Sequence, residues 1–239
     1  MPVAQHRTVS RVIRILELVA TRPEGVSLVE VAGHLAAPRS TVHGFLRGLV
    51  AEGYIEEGGT PPAYRIGHGA HALLLSRESS IAELTRPLRE ALLADLDETV
   101  TLGVPVADSV VYLESLTPSH SVSYRAPLRV RRPLWPTSCG KIFLADRQDA
   151  ATVISGQAGD VVQADALREL DTVRDSGFAF NRRESMTEVS AVAIRFEHEG
   201  RLLGAISIAG PSGRVKDSLV DYAQHAQELM AASETISDI

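Results

Sequence analysis

The chain has 239 residues, which is long for one domain and typical of two. Hydrophobic residues make up 44% of it and charged residues 23%, the composition of a globular protein with a substantial core. The single cysteine excludes an intramolecular disulfide framework and suits a reducing compartment. Neither a secretory signal nor an apolar run that could span a bilayer is present in the sequence, so we expect a cytoplasmic protein.

The formal net charge of −6 is distributed unevenly along the chain. Residues 1–50 carry six arginines and three glutamates, a net charge of +3, so the remainder carries −9. Asymmetry of this kind hints at a module that binds a polyanion, joined to a second domain of another kind.

Three helices and a hairpin are predicted in the first 67 residues. Apolar residues recur at helical spacing in VSRVIRILELVA, residues 9–20. Ser27 and Glu30 have the spacing of a capping box that starts a second helix. Pro38 can occupy the first turn of a third helix, which a left-handed Gly53 would end. Two short β-prone pieces around a Gly-Gly/Pro-Pro turn then predict a hairpin, and this order of elements is that of a winged helix-turn-helix.

The polar side of the third helix carries no acidic residue. In a helix-turn-helix this part of the recognition helix faces base edges and phosphates. Arg39 can reach guanine or a phosphate, the hydroxyls of Ser40 and Thr41 suit phosphate oxygens, and His43 and Arg47 lie on or near the same face. The alternative is a three-helix core with a chance basic face. The candidate DNA-binding residues are Ser27, Arg39, Ser40, Thr41, His43 and Arg47.

The remainder of the chain predicts an α+β domain, with one antiparallel sheet and helices on its faces. From residue 99 onwards, period-two alternation marks strands between helical segments. The predicted elements are a linker helix (67–80), a helix (84–96), two strands around Asp108-Ser109, a strand (121–130), a short helix (138–145), a helix that ends at Gly177, a strand (178–181), two strands around Glu199-Gly200, and a final helix from about Val215.

Several segments together resemble the IclR family of bacterial transcriptional regulators. They are RVIRILELVA, VSLVEVAGHLAAPRSTVHGFLRGLVAEGYIEE, VVYLESL, RPLWPTSCGKIFLA, LDTVRDSGFAFNRRE and LLGAISIAGPSGRV, in this order along nearly the whole chain. The resemblance implies a winged helix-turn-helix (1–67), a linker helix (68–82) and a GAF-like domain for effector binding and oligomerisation (83–239). It also implies a homodimer or homotetramer on (pseudo)palindromic double-stranded DNA, without a cofactor. The chain departs from the family at Gly44, where a large basic residue is common.

The resemblance implies a pocket for a small metabolite in the C-terminal domain. The loop at TSCGK would form part of its wall, and backbone amides at the start of the next helix favour an anionic group. Asn181 stands where the family has aspartate and Ala209 where a second serine is common, so we expect a less acidic and more apolar pocket. We therefore expect an organic acid with an aromatic or otherwise apolar body. The candidate effector-binding residues are Tyr124, Arg132, Trp135, Ser138, Cys139, Asn181, Ser190 and Ser207.

Catalytic and metal-binding patterns are weak in this sequence. Cys139 could be a nucleophile near Lys141, but no histidine falls in a motif that would supply its base. The eight histidines show no metal-ligand spacing. We therefore predict a one-component transcriptional regulator rather than an enzyme. Two alternatives remain: an enzyme of small-molecule metabolism that carries its own winged-helix domain, and a winged-helix module that binds protein.

Overall fold

A computed structural model describes residues 6–70, 81–158 and 163–237. The chain divides into two compact units, residues 1–78 and 79–239. Of the predicted linker helix, residues 68–70 and 81–82 are helical, whereas residues 71–80 lie outside the described residues. Within the described residues, no helix is both long and apolar enough to cross a membrane.

The first unit is a three-helix domain followed by a two-stranded hairpin. Apolar side chains from all three helices and both strands, among them Ile15, Leu46 and Tyr64, form one buried core. Its elements are α1 (Arg7–Ala20), α2 (Leu28–Leu35), α3 (Arg39–Ala51), β1 (Ile55–Gly58) and β2 (Ala63–Ile66).

Local signals set the ends of these helices. The Ser27 side chain accepts from the Glu30 amide at 3.3 Å, while the Ser27 amide donates to Glu30 Oε2 at 2.8 Å, so the capping box forms as predicted. Gly53 adopts φ +73° just after α3, where a side chain would be strained. Backbone hydrogen bonds between Val26 and Tyr64 hold the loop before α2 against the hairpin. The predicted winged helix-turn-helix is confirmed.

The second unit contains one antiparallel sheet with the strand order β5-β4-β3-β8-β7-β6 among its described residues. Its strands are β3 (Thr99–Val106), β4 (Ser109–Leu116), β5 (Arg131–Pro133), β6 (Phe178–Arg182), β7 (Val189–His198) and β8 (Arg201–Pro211). Its helices are α4 (Ile81–Leu96), α5 (Ser138–Ala145), α6 (Ala150–Ala158), α7 (Gln163–Ser176), α8 (Ser212–Val215) and α9 (Leu219–Ser237). The predicted α+β class is confirmed.

Helices cover both faces of this sheet. One face packs against α4 and α9 through residues such as Leu92, Ile206 and Ala226. The other face packs against α5, α6 and α7, and its strands present small residues there, including Ala193 and Ala205. The small side chains let α5 approach closely: the Sγ of Cys139 lies 3.9 Å from the Ala205 carbonyl oxygen.

Three predicted elements differ in the structure. Residues 121–130 do not form a strand, because Pro127 has no amide to donate and Arg129 adopts the left-handed region at φ +59°. The helix predicted from residue 84 begins at Ile81 and contains Pro87. Helix α6 carried no sequence prediction, and the final long helix begins at Leu219, after the short helix α8.

Candidate DNA-binding surface and effector pocket

The exposed face of α3 brings together five of the six predicted DNA contacts. Arg39, Ser40, Thr41, His43 and Arg47 are all exposed, and this face carries no acidic residue. The opposite face is buried in the core of the first unit by Val42, Leu46 and Leu49. Burial of the apolar stripe therefore fixes which side chains can reach a DNA groove.

Ser27, the sixth predicted contact, lies apart from α3 at the start of α2. Its hydroxyl donates to Glu30 Oε2 at 2.7 Å, and both its hydroxyl and its amide are engaged within the capping box. The structure thus gives Ser27 a role in starting α2, which competes with a role in binding phosphate.

The hairpin adds little positive charge to this surface. Its turn reads Gly59-Thr60-Pro61-Pro62, and β1 carries the exposed residues Glu56 and Glu57. The Glu57 carboxylate accepts from the Tyr64 hydroxyl at 3.0 Å, and the Arg65 guanidinium donates to the Glu24 carbonyl at 2.8 Å. Attraction for DNA phosphates in this unit therefore rests on the helices rather than on the hairpin.

Two glycines lie beside the cationic residues of α3. Gly44 and Gly48 are exposed, and a Cβ added to either would meet no atom within 4 Å. Packing inside the first unit therefore does not require glycine at these positions, although glycine weakens a helix interior.

A pocket opens in the second unit, between the sheet and the N-terminus of α5. Its volume is about 370 Å³ with its open mouth included. The residues that line it are Thr101, Tyr112, Tyr124, Arg132, Thr137, Ser138, Asn181, Ser185, Met186, Val189, Ala191, Ser207 and Ala209. Hydroxyl groups dominate its polar lining, while Met186, Val189 and the two alanines supply apolar surface.

Five of the eight predicted effector residues line this pocket: Tyr124, Arg132, Ser138, Asn181 and Ser207. The Ser138 and Ser207 hydroxyl oxygens lie 3.4 Å apart, which joins the start of α5 to β8. The Asn181 side-chain oxygen accepts from the amide of Glu184 at 3.0 Å, so Asn181 also shapes the loop after β6.

The other three predicted residues do not line the pocket. Trp135 is buried, and its amide donates to the Gln157 side chain at 2.9 Å. Ser190 faces the opposite side of β7, where its hydroxyl oxygen lies 2.7 Å from that of Ser212. Cys139 is fully buried against the sheet.

The environment of Cys139 disfavours a reactive thiolate. Burial raises the pKa of the Cys139 thiol to about 12, and a hydrogen bond with Ser207 offsets this only in part. A nucleophilic cysteine needs a lowered pKa and access to substrate. Within the described residues, no cluster of three or more His, Cys, Asp and Glu side chains could hold a metal ion.

The lining of the pocket holds one positive charge and no carboxylate. The Nε of Arg132 is buried and has no hydrogen-bond partner among the described residues. Burial raises the pKa of Tyr112 and of Tyr124, so both phenols stay neutral near pH 7, although the charge of Arg132 opposes this shift. A hydroxyl-rich pocket with one guanidinium and no carboxylate in its lining suits an anion.

The N-terminus of α5 adds hydrogen-bond donors to the pocket wall. The Thr137 side chain caps the helix by accepting from the Gly140 amide at 3.1 Å. The amides of Ser138 and Cys139, in the first turn, have no acceptor within the helix. Together with the helix dipole they favour negative charge at this end.

Sequence reasoning named Lys141 only as a neighbour of Cys139 and missed its structural role. Lys141 is fully buried, three residues after the start of α5. Its Nζ donates to Glu169 Oε1 at 2.7 Å, to Glu184 Oε2 at 2.6 Å and to the Phe180 carbonyl oxygen at 2.9 Å. All three ammonium donors are thereby used. Because Glu184 precedes the lining residue Ser185, Lys141 fastens the β6–β7 loop that forms one side of the pocket.

Eight lining residues were not among the candidate effector-binding residues: Thr101, Tyr112, Thr137, Ser185, Met186, Val189, Ala191 and Ala209. Of these, Ala209 and the loop that contains Thr137 had nevertheless been placed at the pocket by the resemblance. Several of them alternate along strands, as Val189 and Ala191 do on β7 and Ser207 and Ala209 do on β8. Period-two alternation from Ser207 could have found Ala209 on β8. Alternation from the predicted Ser190 could not have found Val189 and Ala191, because they lie on the other face of β7.

A winged helix-turn-helix with a basic recognition helix, joined in one chain to a domain with a polar-lined pocket, defines a DNA-binding regulator with a ligand-binding domain. Comparison with protein families agrees with this class. The IclR helix-turn-helix domain matches residues 8–59, and the domain described as bacterial transcriptional regulator IclR C-terminal matches residues 74–238. The chain belongs to the IclR family of transcriptional regulators, with a DNA-binding and an effector-binding domain.

Characterised relatives span most of the chain. It is 26% identical over 217 residues to the transcriptional regulator TtgV of Pseudomonas putida, covering 87% of this chain and 83% of the relative. It is 28% identical over 224 residues to the transcriptional regulator BhcR of Paracoccus denitrificans, covering 89% of this chain and 80% of the relative. These relatives are transcriptional regulators, not enzymes.

Solved structures share the fold. An IclR transcriptional regulator from Alicyclobacillus acidocaldarius matches with a TM-score of 0.75 at 20% identity, covering 96% of this chain and 98% of that one. An IclR homolog from Microbacterium hydrocarbonoxydans complexed with 4-hydroxybenzoate matches with a TM-score of 0.68 at 21% identity, covering 94% of this chain and 99% of that one.

Proposed function

We propose that this regulator changes its affinity for operator DNA when a small organic acid with an aromatic or otherwise apolar body binds in the pocket of its second unit. The observation that carries the proposal is the pocket lining, in which Arg132 is the single charge and no carboxylate opposes it. The buried, unpartnered Nε of Arg132 is a hydrogen-bond donor that a bound carboxylate would satisfy.

The remaining lining residues suit the body of such an acid. Met186, Val189, Ala191 and Ala209 offer apolar surface, while the Tyr112 and Tyr124 phenols and nearby hydroxyls can bond polar substituents. The related structure with bound 4-hydroxybenzoate supports the choice of this compound as the first probe.

On the DNA side, we propose that Arg39, Ser40, Thr41, His43 and Arg47 contact the operator. Ser27 is a sixth contact at the start of α2, and a weaker one because Glu30 already engages it. One winged helix buries little DNA surface, so we propose a homodimer or homotetramer on a (pseudo)palindromic site.

We assign one function to each of the three segments predicted from the sequence. Residues 1–67 bind DNA, residues 68–82 connect the units, and residues 83–239 bind effector and oligomerise. Effector binding would bias DNA-competent against DNA-incompetent arrangements, with a coupling of about 1–3 kcal/mol. The protein acts in the cytoplasm, where operator DNA lies, and needs no cofactor or catalytic residue.

The test measures both ligands on the full chain. We expect calorimetry to detect 4-hydroxybenzoate binding, and Arg132→Gln to weaken it at least tenfold. Arg201→Gln, which removes an exposed charge outside the pocket lining, is the matched control and should leave binding unchanged. The neutral analogue 4-hydroxybenzamide should bind weakly and respond little to either variant. Absence of binding by 4-hydroxybenzoate, benzoate and pyruvate alike would refute the effector class.

Operator binding is measured by fluorescence anisotropy with the promoter region beside the protein's own gene. We expect salt-sensitive binding that 4-hydroxybenzoate shifts by about fivefold or more. Binding that is insensitive to salt would refute DNA recognition by the basic face of α3. A DNA affinity that no bound acid changes would refute control by the effector.

A further inference from the structure

A positively charged stretch runs beside the pocket of a negatively charged unit. Residues 79–239 contain 16 Lys and Arg against 23 Asp and Glu. Residues 115–145 nevertheless contain no Asp or Glu and five Lys and Arg. Four of these five are arginines within residues 125–132. The charge of this stretch is therefore opposite to that of the unit around it.

The backbone of this stretch borders the pocket at two points. The Thr99 hydroxyl donates to the Tyr124 carbonyl oxygen at 2.7 Å, and the Arg129 amide donates to the Tyr112 carbonyl oxygen at 2.8 Å. Tyr112 and Tyr124 both line the pocket. Arg125 follows Tyr124 directly, so Arg125 and Arg129 are each anchored at the border of the pocket.

The arginines of this stretch fall into two groups. Arg132 lines the pocket and Arg131 donates to the Val106 carbonyl oxygen. Arg125 and Arg129 are exposed, and within the described residues neither guanidinium has a hydrogen bond or an ion pair. Their charges are thus not neutralised by any described side chain, and their backbone adjoins the lining residues Tyr124 and Tyr112.

We propose that Arg125 and Arg129 form an anion entrance that sets the association rate of the acidic effector, whereas Arg132 sets its residence time. This inference rests on the proposed organic-acid effector. Exposed charges within about 10 Å of an entering anion act through water at 0.1 M salt and accelerate encounter. Charges of this kind change the association rate and its salt dependence, while a buried charge changes dissociation.

An exposed carboxylate adjoins the pocket lining in sequence. Glu188 is exposed and precedes the lining residue Val189. Because Glu188 is next in the chain to a lining residue, we expect removal of its negative charge to speed the entry of an anion. Glu188→Gln therefore removes a negative charge, and its expected effect on the association rate is opposite to that of the two arginine substitutions.

The experiment follows stopped-flow binding of 4-hydroxybenzoate through the fluorescence of the single tryptophan, Trp135. We expect Arg125→Gln with Arg129→Gln to lower the association rate constant about fourfold at 10 mM ionic strength and less than 1.5-fold at 300 mM, because salt screens exposed charges. The dissociation rate constant should not change. Glu188→Gln should raise the association rate constant about twofold at low salt.

Two controls separate the electrostatic effect of Arg125 and Arg129 from the effect of a change in total charge. Arg168→Gln with Arg201→Gln removes the same total charge at exposed positions outside the pocket lining, and it should leave both rate constants within 1.5-fold. Neutral 4-hydroxybenzamide should associate at the same rate with every variant.

Each other outcome overturns the proposal in a recognisable way. An association rate that the Arg125 and Arg129 substitutions leave unchanged would overturn the entrance alone. A faster dissociation in that variant would mean that these arginines hold the bound acid, which also overturns a role in entry. Failure of 4-hydroxybenzoate, benzoate and pyruvate to bind the unsubstituted protein would overturn the effector class and the entrance together.

Discussion

The glycines of α3 lead to a prediction in which stability and function change in opposite directions. Substitution of Gly44 and Gly48 by alanine adds one methyl group at each position, and neither methyl would meet an atom within 4 Å. The substitutions therefore carry no steric cost within the first unit. Alanine is favoured over glycine in a helix interior by about 1 kcal/mol per residue, so the pair should stabilise α3 by about 2 kcal/mol.

The same methyl groups should weaken DNA binding. Gly44 and Gly48 are one turn apart and follow Ser40 at helical spacing, in the row next to that of Arg39, His43 and Arg47. A recognition helix with a bare backbone can approach a groove more closely than one with side chains. We therefore expect the double variant to bind operator about tenfold more weakly, a loss of about 1.4 kcal/mol.

Two assays on one preparation test this prediction. Hydrogen exchange followed by mass spectrometry should show the α3 amides exchanging up to about 30-fold more slowly, as about 2 kcal/mol of stabilisation requires. Fluorescence anisotropy should show the loss of operator affinity. Gly33→Ala on α2, which is also exposed and free of contacts, is the matched control that should slow exchange without loss of affinity. An operator affinity that stays constant or rises in the Gly44 and Gly48 variant would refute close approach as the reason for glycine.

Three further predictions concern charge and burial. Arg39→Ala with Arg47→Ala should weaken operator binding and reduce the steepness of log K against log salt by about 2 per subunit. Fluorescence anisotropy from 50 to 200 mM salt measures this slope. An unchanged slope would contradict phosphate contact by these residues. Lys141→Met should lower the free energy of unfolding of the second unit by about 3 kcal/mol in urea titration, because Glu169 and Glu184 lose their shared cation. The conservative Lys141→Arg substitution should lose less of this free energy of unfolding, because arginine keeps the positive charge. Native Cys139 should resist Ellman's reagent until the protein unfolds. Because its pKa is raised to about 12 in the folded state, its contribution to stability is complete below the ordinary thiol pKa near 9 and is lost as pH rises towards 12; rapid labelling of the native protein would contradict this burial.

The parts of the fold that the sequence predicted correctly are those with local signals. The capping box at Ser27, the left-handed Gly53, the helix end at Gly177 and the turn at Glu199-Gly200 all form as expected. Each of these depends on a residue's own backbone preference and on neighbours within three or four positions. Such features can be read without knowledge of the tertiary structure.

The segment 121–130 shows where local signals fail. Its β-prone residues suggested a strand, yet Val122 and Val130 are largely exposed in the structure. A strand needs a partner edge, and only residues 131–133 pair with β4. The preceding residues are held instead by single contacts, such as the Arg129 amide on Tyr112, which no sequence pattern indicates.

The face on which Ser190 lies depends on an irregularity in the pairing of β7 with β8. With a turn at Glu199-Gly200 and regular pairing outward from His198 and Arg201, Ser207 would pair with Val192, and Ser190 would share its face. The strands instead shift register between Phe196 and Glu197, where Leu203 has no opposite partner. Beyond this bulge Ser207 pairs with Ala193, so Ala191 faces the pocket and Ser190 faces the other side.

Placing this bulge depends on contacts that are distant in sequence. Gly204, which follows the unpaired Leu203, leaves no space for a side chain, because a Cβ there would lie 2.8 Å from the Ile81 side chain and 3.0 Å from the Gly103 carbonyl oxygen. Strand β3 and helix α4 therefore crowd β8 at the point where its register shifts. One extra residue in β8 reverses the face of every later residue relative to β7. The pocket consequently receives two alanines from these strands beside Ser207. Its polarity depends on Arg132 and on the hydroxyl groups of the other lining residues rather than on Ser190.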